Sequence, residues 1–430
     1  MTSFRTRSAL ADTVVFDGHN DLPWALRQKF DSRVEEIDLS QHQPHLHTDI
    51  PRLREGRVGA QFWSVFVPSN MLPADAVVAT LEQIDCVHRI ISKNPETFRL
   101  VDSAAGVRTA VADGKIASLM GIEGGHSIDA SLGVLRMMRH VGVRYMTLTH
   151  NDNTPWARSA TGEQVDHGLT DFGRRVVGEM NRLGLIVDLS HVAEQTMHDA
   201  LNTSAAPVIF SHSSCRSVTD HVRNVPDAVL ERLPGNNGVL MLTFVPAFIS
   251  EACADYERRS DEVRQRLGLR TGFHAGQAEE DIAAAAEFAR WTSQNQAPQA
   301  TIADIVRHME HAREVVGPQH LGIGGDFDGI EQLPRGISGV SSYPTVIEAL
   351  AERGWSPADL RSLAFGNVLR VLEDTETAAN QESCSSKGDC STTTYPSNAS
   401  HKHGAKMTAA CASISAYSLS QNPEDGSNGY

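Results

Sequence analysis

The sequence predicts an α/β fold, a (β/α)8 TIM barrel with a metal site at one rim. Three observations lead there. Eight apolar runs of strand length occur near residues 13–18, 58–67, 116–122, 143–149, 185–190, 207–211, 238–245 and 321–325. Helical patterns separate most of them, the alternation that parallel strands with right-handed crossovers produce. Five segments then stop on a metal-ligating residue type: VVFDGHND (His19, Asp21), IASLMGIEGG (Glu123), LGLIVDLSH (His191), APVIFSH (His212) and LGIGGDFDG (Asp326). The same alternation also permits a doubly wound sheet.

The first run, TVVFDG, leads into His19 and Asp21. Residues two apart on a strand face the same way, so imidazole and carboxylate converge on one cation. The His-x-Asp spacing recurs at His47–Asp49 and His150–Asp152, and among nineteen histidines it is weak evidence by itself. His47–Asp49 follows QHQPHL, which is no strand, and is assigned to a solvated loop. His150 ends the run VRYMTLTH, with Asp152 free to point elsewhere. Glu123 stands ahead of two glycines. A carboxylate there is costly to bury unless paired or metal-bound. Its two oxygens can serve two metals, and the glycines let backbone approach a bound group. A structural salt bridge is the alternative.

Leu132–His140 reads as a helix, as does Asp171–Leu183, capped by Thr170 and stopped by Gly184. His191 and His212 each end an apolar run and precede a helix-start signature. Either alone reads as an ordinary core histidine. On consecutive strands, beside Glu123 and a His-x-Asp, they read as ligands. Neutral imidazole with carboxylate oxygen suits zinc, and no cysteine joins the set. Arg223, in HVRNVPD, is placed to anchor a substrate carboxylate by a two-pronged contact, a surface arginine being the plainer alternative.

Residues 249–300, rich in Ala, Glu and Arg, are expected to form a helical insertion. T-x-x-D at Thr301 resembles a capping box before IVRHMEHAREVV. In GGDFDG, Asp326 can take a proton from metal-bound water and pass it to a leaving group, whereas Asp328 is assigned to the loop. Ser356-Pro357 starts a last helix that runs to about Glu373. The barrel domain is therefore 1–374. From about Thr375 the composition turns to Ser, Thr, Asn, Gly and Lys, so 375–430 is expected to be a disordered tail, and its His401 and His403 carry no metal assignment.

A net charge of −15 argues against a nucleic-acid surface and a polybasic membrane patch. The first residues, MTSFRTRSAL, lack a secretory h-region, no run approaches the roughly 18 apolar residues of a membrane span, and SQNPEDGSNGY is no lipid-anchor tail. The six cysteines show no zinc-type CxxC spacing and read as free thiols. A cytoplasmic location is expected, with the sequons at Asn202 and Asn398 unused.

DGHNDLPW, GIEGGHSI, LTHNDN, VDLSH, FSHSS and GGDFDG, in this order, resemble the membrane (renal-type) dipeptidase family of zinc peptidases. The resemblance covers roughly residues 13–373. It implies a (β/α)8 barrel of the metal-dependent amidohydrolase type with two zinc ions: His19 and Asp21 on one, His191 and His212 on the other, and Glu123 bridging both. It implies that Asp326 handles the proton of a metal-bridging hydroxide, and that His150 and Arg223 contact the substrate or its tetrahedral intermediate. The implied reaction is hydrolysis of dipeptides with a free C-terminal carboxylate. Some members open β-lactams or trim glycine from cysteinyl-glycine conjugates, and some fungal ones act in the biosynthesis of sulfur-containing toxins. Asp152 and Thr219 stand where secreted animal members have cysteines, and Phe248 stands where a tyrosine contacts substrate. A homodimer is compatible with the resemblance, and no feature marks an interface. Two rival readings use the same residues: an amidohydrolase for a lactam, cyclic amide or other non-peptide substrate, and a non-catalytic metal-binding scaffold.

Overall fold

The structure, a computed structural model, describes residues 13–270 and 281–388. Among the described residues nine strands form one parallel sheet: β1 (Val15–Asn20), β2 (Val58–Phe66), β3 (Phe98–Leu100), β4 (Ile116–Glu123), β5 (Val143–Thr147), β6 (Ile186–Asp188), β7 (Val208–Ser213), β8 (Val239–Leu242) and β9 (Leu321–Ile323). Pairing runs β2-β1-β9-β8-β7-β6-β5-β4, and a β2–β4 ladder from Ala60↔Ala117 to Phe66↔Glu123 closes the circle. The result is a closed eight-stranded barrel. All eight apolar runs are its staves. The sequence reading missed β3, a three-residue strand that pairs only with Ile116–Ser118 at the start of β4.

Barrel strands are buried on both faces, which is why they read as continuous apolar runs rather than alternating ones. Phe16, Phe62, Leu119, Tyr145, Ile186, Ile209 and Met241 pack together, joined by Val107 and by Val368 and Leu372 of the last helix. A larger apolar layer lies between strands and surrounding helices. Each fully buried large apolar side chain contributes roughly 1.5–3 kcal/mol.

The helix signals hold locally. Leu132–His140 is capped by Ser131. Asp171–Leu183 starts at Thr170, which accepts from Gly173 N, and ends on Gly184 at φ 67. Thr301 and Asp304 form a capping box on Ile302–Val316. Helix Pro357–Arg361 passes through a π segment, Ser362–Gly366, into Asn367–Gly388, and so continues beyond residue 374, where the barrel domain was expected to end. Residues 389–430, the rest of the expected tail, lie outside the described residues. The segment 249–300 holds helices Glu251–Arg266 and Ile282–Gln294. No helix signature follows His212; an irregular loop, 214–226, occupies that place and carries Arg223.

Candidate metal centre

Parallel barrels present their strand C-termini on one face, where loops from neighbouring strands meet. His19 lies near the end of β1 with Asp21 just beyond, Glu123 is the last residue of β4, and His212 lies in β7. His150, His191 and Asp326 follow β5, β6 and β9 by three residues each. His191 and Asp326 adopt φ of 67° and 60°. Non-glycine residues rarely do so, and such strain clusters at functional sites.

Glu123 is the hub. Its Oε1 is 3.0 Å from His191 Nε2, 3.4 Å from His212 Nε2 and 3.7 Å from His150 Nε2. Its Oε2 is 3.4 Å from His19 Nε2 and accepts from Ser64 Oγ at 3.1 Å. His19 Nε2 in turn lies 3.2 Å from Asp21 Oδ2 and 3.8 Å from Asp326 Oδ1. The two carboxylate oxygens thus face two different sets of donors. Three overlapping groups, His19/Glu123/His212, Glu123/His150/His191 and His19/Asp21/Asp326, each bring one donor atom per residue within 4.8 Å of the others. The carboxylate expected to serve two metals belongs to two of these three groups.

Outer neighbours fix which nitrogen faces inward. His212 Nδ1 lies 2.8 Å from Ser211 Oγ, whose proton goes to Asp188 Oδ2 at 2.6 Å. Ser211 Oγ must then accept from Nδ1–H, leaving a lone pair on His212 Nε2. His191 Nδ1 faces Asn151 Oδ1 at 3.3 Å, with the same consequence. The two Nε2 atoms lie 2.9 Å apart. Two lone pairs meeting beside a carboxylate repel one another, and a cation among them reconciles all three. Burial, reinforced by Arg223 and the neighbouring histidines, holds His191 well below the usual imidazole range; burial and then His19 do the same for His212. Both are therefore neutral and fit to ligate. His19 differs: burial opposes its charge, but Tyr145, Glu123 and Asp21 outweigh that and raise its pKa. Among the described residues its Nε2 and Asp21 Oδ1 are buried without a hydrogen-bond partner, the condition a metal would relieve. The donor set is imidazole and carboxylate without thiolate, which fits zinc and related divalent ions.

Tyr145 places its Oη 2.9 Å from His19 Nδ1. Its ring occupies the space a Cβ on Gly121 would need, at 2.0 Å, so glycine in β4 is what lets Tyr145 reach β1. The glycines after Glu123 also make room within the protein. A Cβ on Gly124 would stand 2.4 Å from the His126 ring, and one on Gly125 2.5 Å from Trp156.

Burial pushes the Asp326 carboxyl up to about 8; His19 opposes this, while Asp21 and Glu123 add to it. Cations nearby would favour its ionised form. Arg223 is buried, and burial lowers its pKa to about 10, so it stays charged near neutrality. Among the described residues its Nη1 has no hydrogen-bond partner, and its guanidinium lies over the Phe248 ring at 5.1 Å.

The other His-x-Asp pairs separate cleanly. Asp152 turns away from His150 and accepts from Ser69 Oγ at 2.5 Å. His47–Asp49 is outside the cluster, as expected, but it is not a solvated loop. Asp49 is buried and caps helix Ile50–Glu55, accepting from Arg52 N at 2.9 Å. His47 N donates to Asp328 Oδ1 at 2.7 Å, and Asp328 N donates to His47 Nδ1 at 3.1 Å, so Asp328 is a loop residue that pins two loops together. Sequence reading missed the supporting shell of Asp17, Tyr145, Asp188 and Ser211. Asp17 was within reach of the period-2 argument, standing two residues before His19 on the same strand face.

The profile of the membrane dipeptidase family (Peptidase family M19) matches residues 4–386. The chain belongs to that family. It is a metal-dependent dipeptidase by class. An uncharacterised dipeptidase of Schizosaccharomyces pombe is 42% identical over 376 residues, covering 84% of this chain and 81% of that protein. The probable dipeptidase PvdM of Pseudomonas aeruginosa shares the fold with a TM-score of 0.75 at 21% identity, covering 87% of this chain and 98% of that one. A metallo peptidase of Rhodobacter sphaeroides, solved with a phosphinate mimic of the dipeptide L-Ala-D-Ala, superposes with a TM-score of 0.68 at 25% identity, covering 85% of this chain and all of the other. Despite the family name, no helix among the described residues is long and apolar enough to cross a membrane.

Proposed function

We propose that this dipeptidase holds two zinc ions and hydrolyses dipeptides that carry a free C-terminal carboxylate. The observation that carries the reading is the division of Glu123, with His191 and His212 before Oε1 and the His19/Asp21 pair before Oε2. His19 and Asp21 would hold one ion, His191 and His212 the other, with Glu123 between. Bound zinc supplies Lewis acidity, polarising the scissile carbonyl and acidifying a water. The remaining steps belong to side chains. Arg223, charged and with a buried donor that no described residue engages, receives the substrate carboxylate and sets the register of the peptide. His150, kept neutral by burial, donates toward the oxygen on which charge develops. Asp326 takes the proton of the attacking water and delivers it to the departing amine.

The dipeptide mimic in the Rhodobacter sphaeroides relative supports the substrate class. Cysteinyl-glycine and glutathione-derived conjugates are the finer assignment within it. The test is release of free amino acids from a panel containing cysteinyl-glycine, an L-L pair and an L-D pair. Chelator-stripped protein is assayed with and without added zinc. Zinc-dependent cleavage supports the proposal, and its pattern ranks the substrates. Cleavage only of a lactam or cyclic amide moves the assignment to that rival chemistry. Zinc binding without turnover on any of these leaves the scaffold reading.

A further inference from the structure

Arg223 hangs from the irregular loop 214–226, yet a carboxylate anchor must hold its guanidinium in one place. The helix Glu251–Arg266, the first in the segment 249–300, reaches that loop twice. Glu251 Oε1 accepts from Asp220 N at 2.7 Å, and Glu257 Oε2 lies 3.0 Å from His221 Nε2. His221 Nδ1 then accepts from Arg223 N at 3.2 Å. An imidazole that accepts at Nδ1 carries its proton on Nε2, and that is the proton Glu257 receives. Glu257 thereby selects the tautomer able to hold the Arg223 backbone. Phe248 completes the arrangement. Its ring packs against His221 at 4.5 Å and lies under the Arg223 guanidinium at 5.1 Å, and its carbonyl accepts from Asn224 Nδ2 at 2.8 Å.

We propose that Glu257 and His221 are positioning residues for substrate-carboxylate recognition. The relay Glu257–His221–Arg223 lets the inserted helix set the place of the arginine, and with it the preference for a free C-terminus. This rests on Arg223 being the carboxylate anchor. A purely structural pairing of helix and loop is the plainer account, but the Glu257 side chain is 48% exposed, and ion pairs that open to water contribute little to stability. Its removal should therefore leave the fold intact and loosen the arginine.

The experiment compares a dipeptide with its C-terminal amide in the zinc-loaded full-length enzyme. Glu257→Ala is expected to raise KM for the free dipeptide about three- to tenfold while kcat stays within about twofold. The kcat/KM for the amide should not change. Glu257→Gln, whose amide oxygen still accepts from Nε2–H, should restore KM, and His221→Ala should reproduce the defect. An unchanged KM, or an equal loss on dipeptide and amide, overturns the inference while leaving the dipeptidase reading intact. A wild type that cleaves dipeptide and amide equally well overturns the Arg223 assignment and this inference with it.

Discussion

Asp188→Asn changes one proton's address and should be felt at one metal. Asp188 is fully buried, and its Oδ1 accepts from Ser211 N at 2.8 Å and Ser190 N at 3.1 Å. Its Oδ2 accepts from the Ser211 and Thr147 hydroxyls. An amide placed here keeps its oxygen on the two backbone N–H groups, so its NH2 turns toward Ser211 Oγ. Ser211 then receives a proton where it used to give one, and its own hydrogen rotates to His212 Nδ1, 2.8 Å away. The imidazole proton is driven to Nε2, against the incoming metal. Shape and hydrogen-bond number are conserved, so folding stability should change by no more than about 1 kcal/mol. Loss of such an outer partner lowers metal affinity about ten- to a hundredfold, or roughly 1.4–2.8 kcal/mol. If two zinc ions bind as proposed, competitive zinc titration against a chelating dye resolves them: the site proposed on His191 and His212 should weaken, and the one proposed on His19 and Asp21 should not. Two unchanged affinities would refute the tautomer argument. Equal weakening of both, with a lowered Tm, would show general loosening instead.

Three further outcomes follow from the site. Asp326→Asn should retain both zinc ions and lose about 10²–10⁴-fold in kcat, measured at saturating dipeptide and metal; full activity would remove Asp326 from the proton path. Arg223→Met should raise KM for free-carboxylate dipeptides by at least about tenfold and change the amide far less, read from steady-state kinetics on both. Chelation should lower Tm by roughly 5–10 °C, reversed by zinc in scanning fluorimetry, because metal stabilises the native state by mass action at a cluster that otherwise opposes lone pairs; a Tm indifferent to zinc contradicts the cluster's role.

Much of this architecture was legible because barrel strands are buried on both faces and each ends at the same rim. An apolar run that stops on His or a carboxylate therefore gives both the element and its functional end. His19, Asp21, Glu123, His191 and His212 were singled out on that ground, and the structure brings their donor atoms into overlapping groups. Caps such as Thr170 and Thr301 were readable because they depend on a few adjacent residues. The parts that stayed hidden are long-range. Phe98–Leu100 is too short to show a period and exists only by pairing with β4. Tyr145 looks like one more apolar strand residue until Gly121 makes way for it on the next strand. The bond between His47 and Asp328 joins residues 281 apart, which no local pattern reports. Glu257 lies in a charged helix whose composition says only that it is helical.

The most direct test of the account is zinc content by atomic spectroscopy after equilibrium dialysis, for the wild type beside Glu123→Gln. If one carboxylate serves both ions, the wild type should retain two zinc ions per chain and the variant should lose both while remaining folded. One zinc in the wild type, or two retained by Glu123→Gln, would contradict the shared-carboxylate site on which the proposed chemistry stands.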